Sequence, residues 1–161
     1  VYVYNGTSWD AIASGGSSFI PPTTSRLDLF GIADVTAPAG QPFYYLNEGV
    51  PTPFSVNTLV TSYAKTEVSV NLGIQFSVGS VGPISLVRIV NGDLVNPVVL
   101  GNYNHANSMP LSINFVDEHG QAPGTILTYG LANYTNAPGG TPADITFLSI
   151  GAIQIFCREV A

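Results

Sequence analysis

Between Thr66 and Val78 the chain reads TEVSVNLGIQFSV, with Val68, Val70, Leu72, Ile74 and Phe76 on every second position. A two-residue period places those side chains on one face of a strand, and Glu67, Ser69, Asn71 and Gln75 on the other. A half-buried strand of this length needs a second layer to cover its apolar face. A helical fold is not available to do so. The 17 Gly and 12 Pro interrupt every window long enough for three turns, and no stretch sustains a helical period.

Strand signals fill the rest of the chain. VYVYNGTSWD alternates and then turns at Asn5-Gly6, which predicts a short N-terminal β segment over 1–12. Residues 13–25 are rich in Ser, Gly, Thr and Pro and read as a linker, leaving 26–161 as the main domain. In SRLDLFGIADV, Leu27 and Leu29 alternate against Asp28 and Phe30. Asn91-Gly92-Asp93 separates two β-rich runs and predicts a hairpin, because Asn-Gly tolerates the positive φ of a type I′ turn. MPLSINFVDEHGQAPGTILTYGLANYT predicts a second, looser hairpin, and PADITFLSIGAIQIFCREVA two closing strands. About ten strands at this spacing imply an all-β, antiparallel sandwich or barrel.

Charge narrows the function. Only 9% of residues are charged, against about a quarter in an ordinary domain. The four basic residues, Arg26, Lys65, Arg88 and Arg158, lie far apart, and the net charge is −6. Phosphate backbones are bound by clustered Lys and Arg, so no nucleic acid is expected as a partner. No apolar run reaches the roughly 20 residues of a spanning helix, so no membrane insertion is expected either. A surface so poor in charge suits a protein partly covered by copies of itself. The chain opens at Val1 without a signal-type segment, which reads as a piece of a longer parent.

The candidate chemistry is sparse. Asp117, Glu118 and His119 stand together in FVDEHGQAPG, and carboxylates beside an imidazole are raw material for a hydrolase or a metal site. Adjacent residues on a strand point to opposite faces, and Gly120 and Pro123-Gly124 are turn formers. The triplet therefore reads as an exposed turn, with Asp117 capping backbone N–H groups. Cys157 sits in an apolar run and reads as a buried small hydrophobe. His105 sits in GNYNHANSMP, which reads as a polar loop without metal-ligand spacing. Asp93, Asp117 and Asp144 are the acids from which a calcium site could be drawn, but no Asp-x-Asp-x-Asp run joins them. No catalytic residue, metal or cofactor is assigned, and the chain does not read as an enzyme. Tyr103, Asn104, His105 and Asn107, with Tyr134 and Asn136, have the composition of a recognition loop. Asn5-Gly6-Thr7 and Asn133-Tyr134-Thr135 fit the N-glycosylation sequon.

Leu111–Asp117 with Gly120, Thr128–Tyr129 and Leu148–Ile155 carry a resemblance. This order of segments resembles the C-terminal heads of collagen-like and fibre proteins of giant viruses, phages and bacterial spores, which have the C1q/TNF-like jelly roll. VYVYNGTSWD is similar to the segment that joins such heads to a collagen-like or linker region. Residues 66–78 lack the aromatic strand start of animal C1q domains, so a complement-type or cytokine-type role is not implied. The resemblance implies a homotrimer built around a threefold axis. Apolar stretches that hardly alternate supply candidates for that interface, namely Phe43, Tyr45, Phe147, Ile153 and Phe156. The function so implied is a non-enzymatic virion structural protein, the trimeric head of a fibre or surface protein at the virion surface. It would drive assembly and attach to a host glycan or receptor. A lectin-like glycan-binding module and a spore-surface structural head are the alternatives.

Overall fold

The computed structural model describes residues 2–4, 9–11, 23–30, 35–37, 44–45, 54–76, 81–106, 109–133 and 145–161. The strands are β1 (Tyr2–Tyr4), β2 (Trp9–Ala11), β3 (Thr24–Phe30), β4 (Val35–Ala37), β5 (Tyr44–Tyr45) and β6 (Ser55–Leu59). They continue with β7 (Lys65–Phe76), β8 (Val81–Val90), β9 (Val98–Ala106), β10 (Met109–Asp117), β11 (Ile126–Asn133) and β12 (Ile145–Val160). No helix occurs among the described residues. β1 and β2 pair antiparallel, as their alternation predicts, with Val3 opposite Asp10. β3 begins at Thr24, inside the stretch that reads as linker, because Thr24 and Ser25 already pair with Arg158 and Cys157.

All other strands belong to two antiparallel sheets. The front sheet has the order β10-β7-β12-β3, with β4 pairing the far end of β12. The back sheet runs β11-β8-β9 from an edge where β5 and β6 both pair with β11. If the eight long strands are counted from β3, the front sheet is 6-3-8-1 and the back sheet 2-7-4-5. The chain therefore crosses between sheets in the winding of a jelly roll, in which two Greek keys close one sandwich.

The two-residue period decides what lies inside. Val68, Val70 and Leu72 of β7 lie beside Ile153, Ile155 and Cys157 of β12 on the inner face of the front sheet, and Ile84, Leu86, Leu127, Tyr129 and Leu131 come from the back sheet. Full burial of each such side chain is worth about 1.5–3 kcal/mol, so this inter-sheet core is what holds the layers together. The closing segment departs from the sequence reading. It is one strand, β12, not two, with a register irregularity between Leu148 and Ala152. That irregularity bends β12 without ending it, so it pairs with β4 before the bend and with β3 after it.

The Asn91-Gly92 turn forms, with Asn91 at φ 48° and Gly92 at φ 78°, and Asp93 N donates to Val90 O. It does not close a two-residue hairpin, however. The connection continues to Pro97, held by Asp93, whose carboxylate accepts from Val95 N and Asn96 N. Tyr45 Oη reaches across the outer face of the back sheet to Leu94 O, 2.8 Å away. Beneath it Tyr45, Val87, Ile89 and Ala132 form a second, smaller core.

Candidate functional site

The chemistry-bearing residues converge at one end of the sandwich. Asp117 ends β10 with its side chain directed between the sheets, and Arg88 and Tyr129 come from adjacent strands of the back sheet. Arg88 Nη1 donates to both Asp117 oxygens, at 2.6 and 2.7 Å, and Tyr129 Oη donates to Asp117 Oδ2 at 2.8 Å. Asp117 and His119 are 7% and 6% exposed, whereas the Glu118 side chain between them is 72% exposed and pairs with Lys65. The exposed triplet expected from sequence is thus corrected for two of its three members. Alternation does make the neighbours diverge, but the inward face is where Asp117 finds a cation. It bonds Arg88 and Tyr129 in place of the expected backbone N–H groups.

Directionality follows from the donors. Gln121 N–H donates to His119 Nδ1 at 3.0 Å, so that nitrogen is an acceptor and the ring proton sits on Nε2. Nε2–H therefore donates to Thr66 Oγ1, 3.3 Å away. Thr66 also sits beside the Tyr129 hydroxyl. His119, Thr66, Tyr129, Asp117 and Arg88 thus form one buried polar cluster. Burial, reinforced by the charge of Asp117, pushes the Tyr129 phenol far above its ordinary value. Burial likewise pushes the Cys157 thiol up to about 12, with Asp117 adding to the shift. That thiol is a buried hydrophobe, as its sequence setting indicates, and not a nucleophile.

Glu159, two residues beyond Cys157 on the same inward face, is 2% exposed. Its carboxylate accepts from Thr23 N at 3.0 Å, Thr61 N at 2.6 Å, Ser62 N at 3.4 Å and the Thr61 hydroxyl. It ties the start of β3 and the β6–β7 turn to the end of β12. Arg88 Nε and Thr58 Oγ1 are the buried side-chain atoms without a hydrogen-bond partner among the described residues. Arg88 and Asp117 neutralise each other, and neutral N–H and O–H donors hold the Glu159 carboxylate, so the arrangement acts chemically as a clamp between the sheets. Among the described residues, no group of three His, Cys, Asp or Glu is placed to hold a metal ion. Of the acids considered for calcium, Asp93 closes its own turn, Asp117 is held by Arg88, and Asp144 lies outside the described residues.

Sequence reading misses Arg88, Thr66, Tyr129 and Glu159. The signal is nonetheless present. Arg88 falls on the apolar phase Ile84, Leu86, Val90, and Glu159 on the phase Ile153, Ile155, Cys157. A charge in the buried phase of a strand announces a buried partner.

The proposed recognition residues fare differently. Gly101–Ala106 of GNYNHANSMP are not a loop but belong to β9, opposite Val81–Leu86 of β8. Tyr103 packs against the main core and lies over Gly101, where an added Cβ would come within 2.5 Å of its hydroxyl. Asn104 and His105 are strand positions opposite Pro83 and Gly82, and Asn107, Tyr134 and Asn136 lie outside the described residues. Of the interface candidates, Ile153 lies in the inter-sheet core and Tyr45 in the second core, so both are used within the protomer. Phe156 stands half-buried on the outer face of the front sheet; Phe147 is at a β12 position opposite Phe76, and Phe43 lies outside the described residues.

That outer face has a distinctive charge arrangement. Arg26 pairs with Asp28, Arg158 with Glu67 and Lys65 with Glu118, so three of the four basic residues sit there, each with an acid. Ser112 Oγ donates to Asn71 and Gln154 Nε2 to Asp28, and Phe30 is 70% exposed at the β3 edge.

No protein-family model matches the chain, and no curated protein matches it. Among solved structures it is similar to Eiger TNF from S. frugiperda, at 14% identity over 88% of this chain and 94% of that one, with a TM-score of 0.48.

Proposed function

We propose that the chain is a non-enzymatic structural head that assembles as a homotrimer through the outer face of its front sheet. It would close a fibre or surface protein on a virion and present the opposite sheet outward, where a host glycan or receptor could be met. The observation that carries the self-association is the pairing of charges on that face among the described residues. In a chain of net charge −6, three cations and three acids pair there within one protomer. Copies that repel elsewhere can meet on it without stranding a charge. Phe156, half-buried near its middle, and exposed Phe30 supply apolar area. The virion setting is supported by the resemblance carried by Leu111–Asp117, Gly120, Thr128–Tyr129 and Leu148–Ile155.

Native mass spectrometry of the full chain tests the reading. A trimer is expected, and Phe156→Asp should convert it to a folded monomer, since a charge added to a half-exposed position burdens the contact and not the core. A wild-type monomer at micromolar concentration overturns the proposal.

A further inference from the structure

The buried polar cluster at the end of the sandwich includes a group that can take a proton only at the cost of a hydrogen bond. We propose that His119 is an acid-sensitive latch, whose protonation releases the β10–β11 connection from the sandwich. The inference is independent of the oligomeric state.

Neutral His119 spends both nitrogens. Nε2–H donates to Thr66 Oγ1, and Nδ1 accepts from Gln121 N–H. An incoming proton must bind Nδ1, which turns that acceptor into a donor facing another donor. The Gln121 N–H···Nδ1 bond is then lost, and the backbone of the connection loses its tether to the ring. Gln121 Nε2 also donates to His119 O, so the same two residues are joined twice and move together. Three further backbone bonds hold this connection to the rest: Gly120 N to Ala64 O, Gly124 N to Val60 O, and Val60 N to Thr125 O.

The charged groups around the ring do not rescue the cation. On β10 Asp117 faces it, but that carboxylate already accepts from Arg88 and Tyr129. On β12 Glu159 is near, but it is saturated by Thr23, Thr61 and Ser62, and Cys157 on the same face is a neutral thiol. Thr66 of β7 and Tyr129 of β11 are neutral, and Arg88 of β8 is a cation that repels a second one. Lys65 and Glu118 flank the ring outside the sandwich and pair with each other. Burial, with Arg88 acting in the same sense and Asp117 and Glu159 opposing, leaves the imidazole below its ordinary value.

The chain has two histidines, so His105→Gln leaves His119 as the one titrating ring. In that variant, imidazole nitrogen NMR near neutral pH should show the Nε2–H tautomer. The Gln121 amide should exchange slowly with solvent. After correction for intrinsic chemistry, its exchange should accelerate severalfold, up to about tenfold, on lowering the pH to about 5.5. Adding His119→Gln should abolish that acceleration. An Nδ1–H tautomer, or protection of Gln121 that is unchanged while the ring titrates, overturns the latch. Both readouts use the singly substituted protein, so they stand even if the double variant fails to fold.

Discussion

Arg88 and Asp117 meet across the two sheets, one guanidinium nitrogen lying 2.6 and 2.7 Å from the two carboxylate oxygens, with side chains only 11% and 7% exposed. Breaking such a pair from one side leaves an uncompensated charge in the interior, which costs about 3–5 kcal/mol. Asp117→Leu should therefore lower the unfolding free energy by that amount in urea titrations. Arg88→Met together with Asp117→Leu should lose much less than the sum of the single changes, because no orphan charge remains. Equal and additive losses would show that the pair contributes no coupling between the sheets.

Glu159 gives the acid limb of stability. Burial alone would raise its pKa, but the hydrogen bonds from the Thr61 hydroxyl and from Thr23, Thr61 and Ser62 N–H groups hold it below the ordinary value of 4.5. The unfolded chain then binds the proton more readily than the folded one. This contribution is full above pH 4.5 and is lost as pH falls through the depressed folded value. Glu159→Gln should cost about 1.5–3 kcal/mol near neutral pH and flatten the decline of Tm below pH 4.5. A variant with an acid limb as steep as the wild type would assign that limb to other carboxylates.

The alternation of Val68, Val70 and Leu72 was enough to indicate a sandwich, because strand period and burial are the same fact seen twice. The buried clamp was not legible in the same way. Its members lie 12 to 136 positions apart, from Tyr129 and Asp117 to Thr23 and Glu159, and meet only once the jelly-roll crossings bring both sheets together. Local context made Asp117-Glu118-His119 look like a turn, but the turn itself comes at Pro123-Gly124 and Asp117 is still in β10. What reverses its exposure is Arg88, whose inward position depends on the register of a different sheet. Tyr103 misleads for the related reason that a polar composition does not end a strand whose partner, β8, continues beside it.

The Asn91-Gly92 turn sets where β8 stops. Gly92 has φ 78° with open space around its Cα, so a Cβ there meets no atom but must sit in the left-handed region. Gly92→Ala should cost about 1–2 kcal/mol in chemical denaturation without altering oligomeric state, since the strain is confined to the backbone. A neutral result would mean that the loop relaxes from its type I′ geometry, and a disturbed Val90–Asp93 hydrogen bond in NMR would then accompany it.

Cys157 reports on the core from within. Its thiol is fully buried between Val68 and the back sheet and is pushed up to about 12 by burial, with Asp117 adding to the shift. At neutral pH almost no thiolate forms, and a thiol reagent has no path to it while the sandwich is closed. The native protein should therefore be inert to an aromatic disulfide reagent over hours and release one equivalent of chromophore on denaturation, matching the single Cys of the chain. Asp117→Leu, which opens the same end of the core, should raise the native-state labelling rate in proportion to its loss of stability, because labelling then follows the population of the open form. Rapid labelling of the wild type would place Cys157 outside the inter-sheet core.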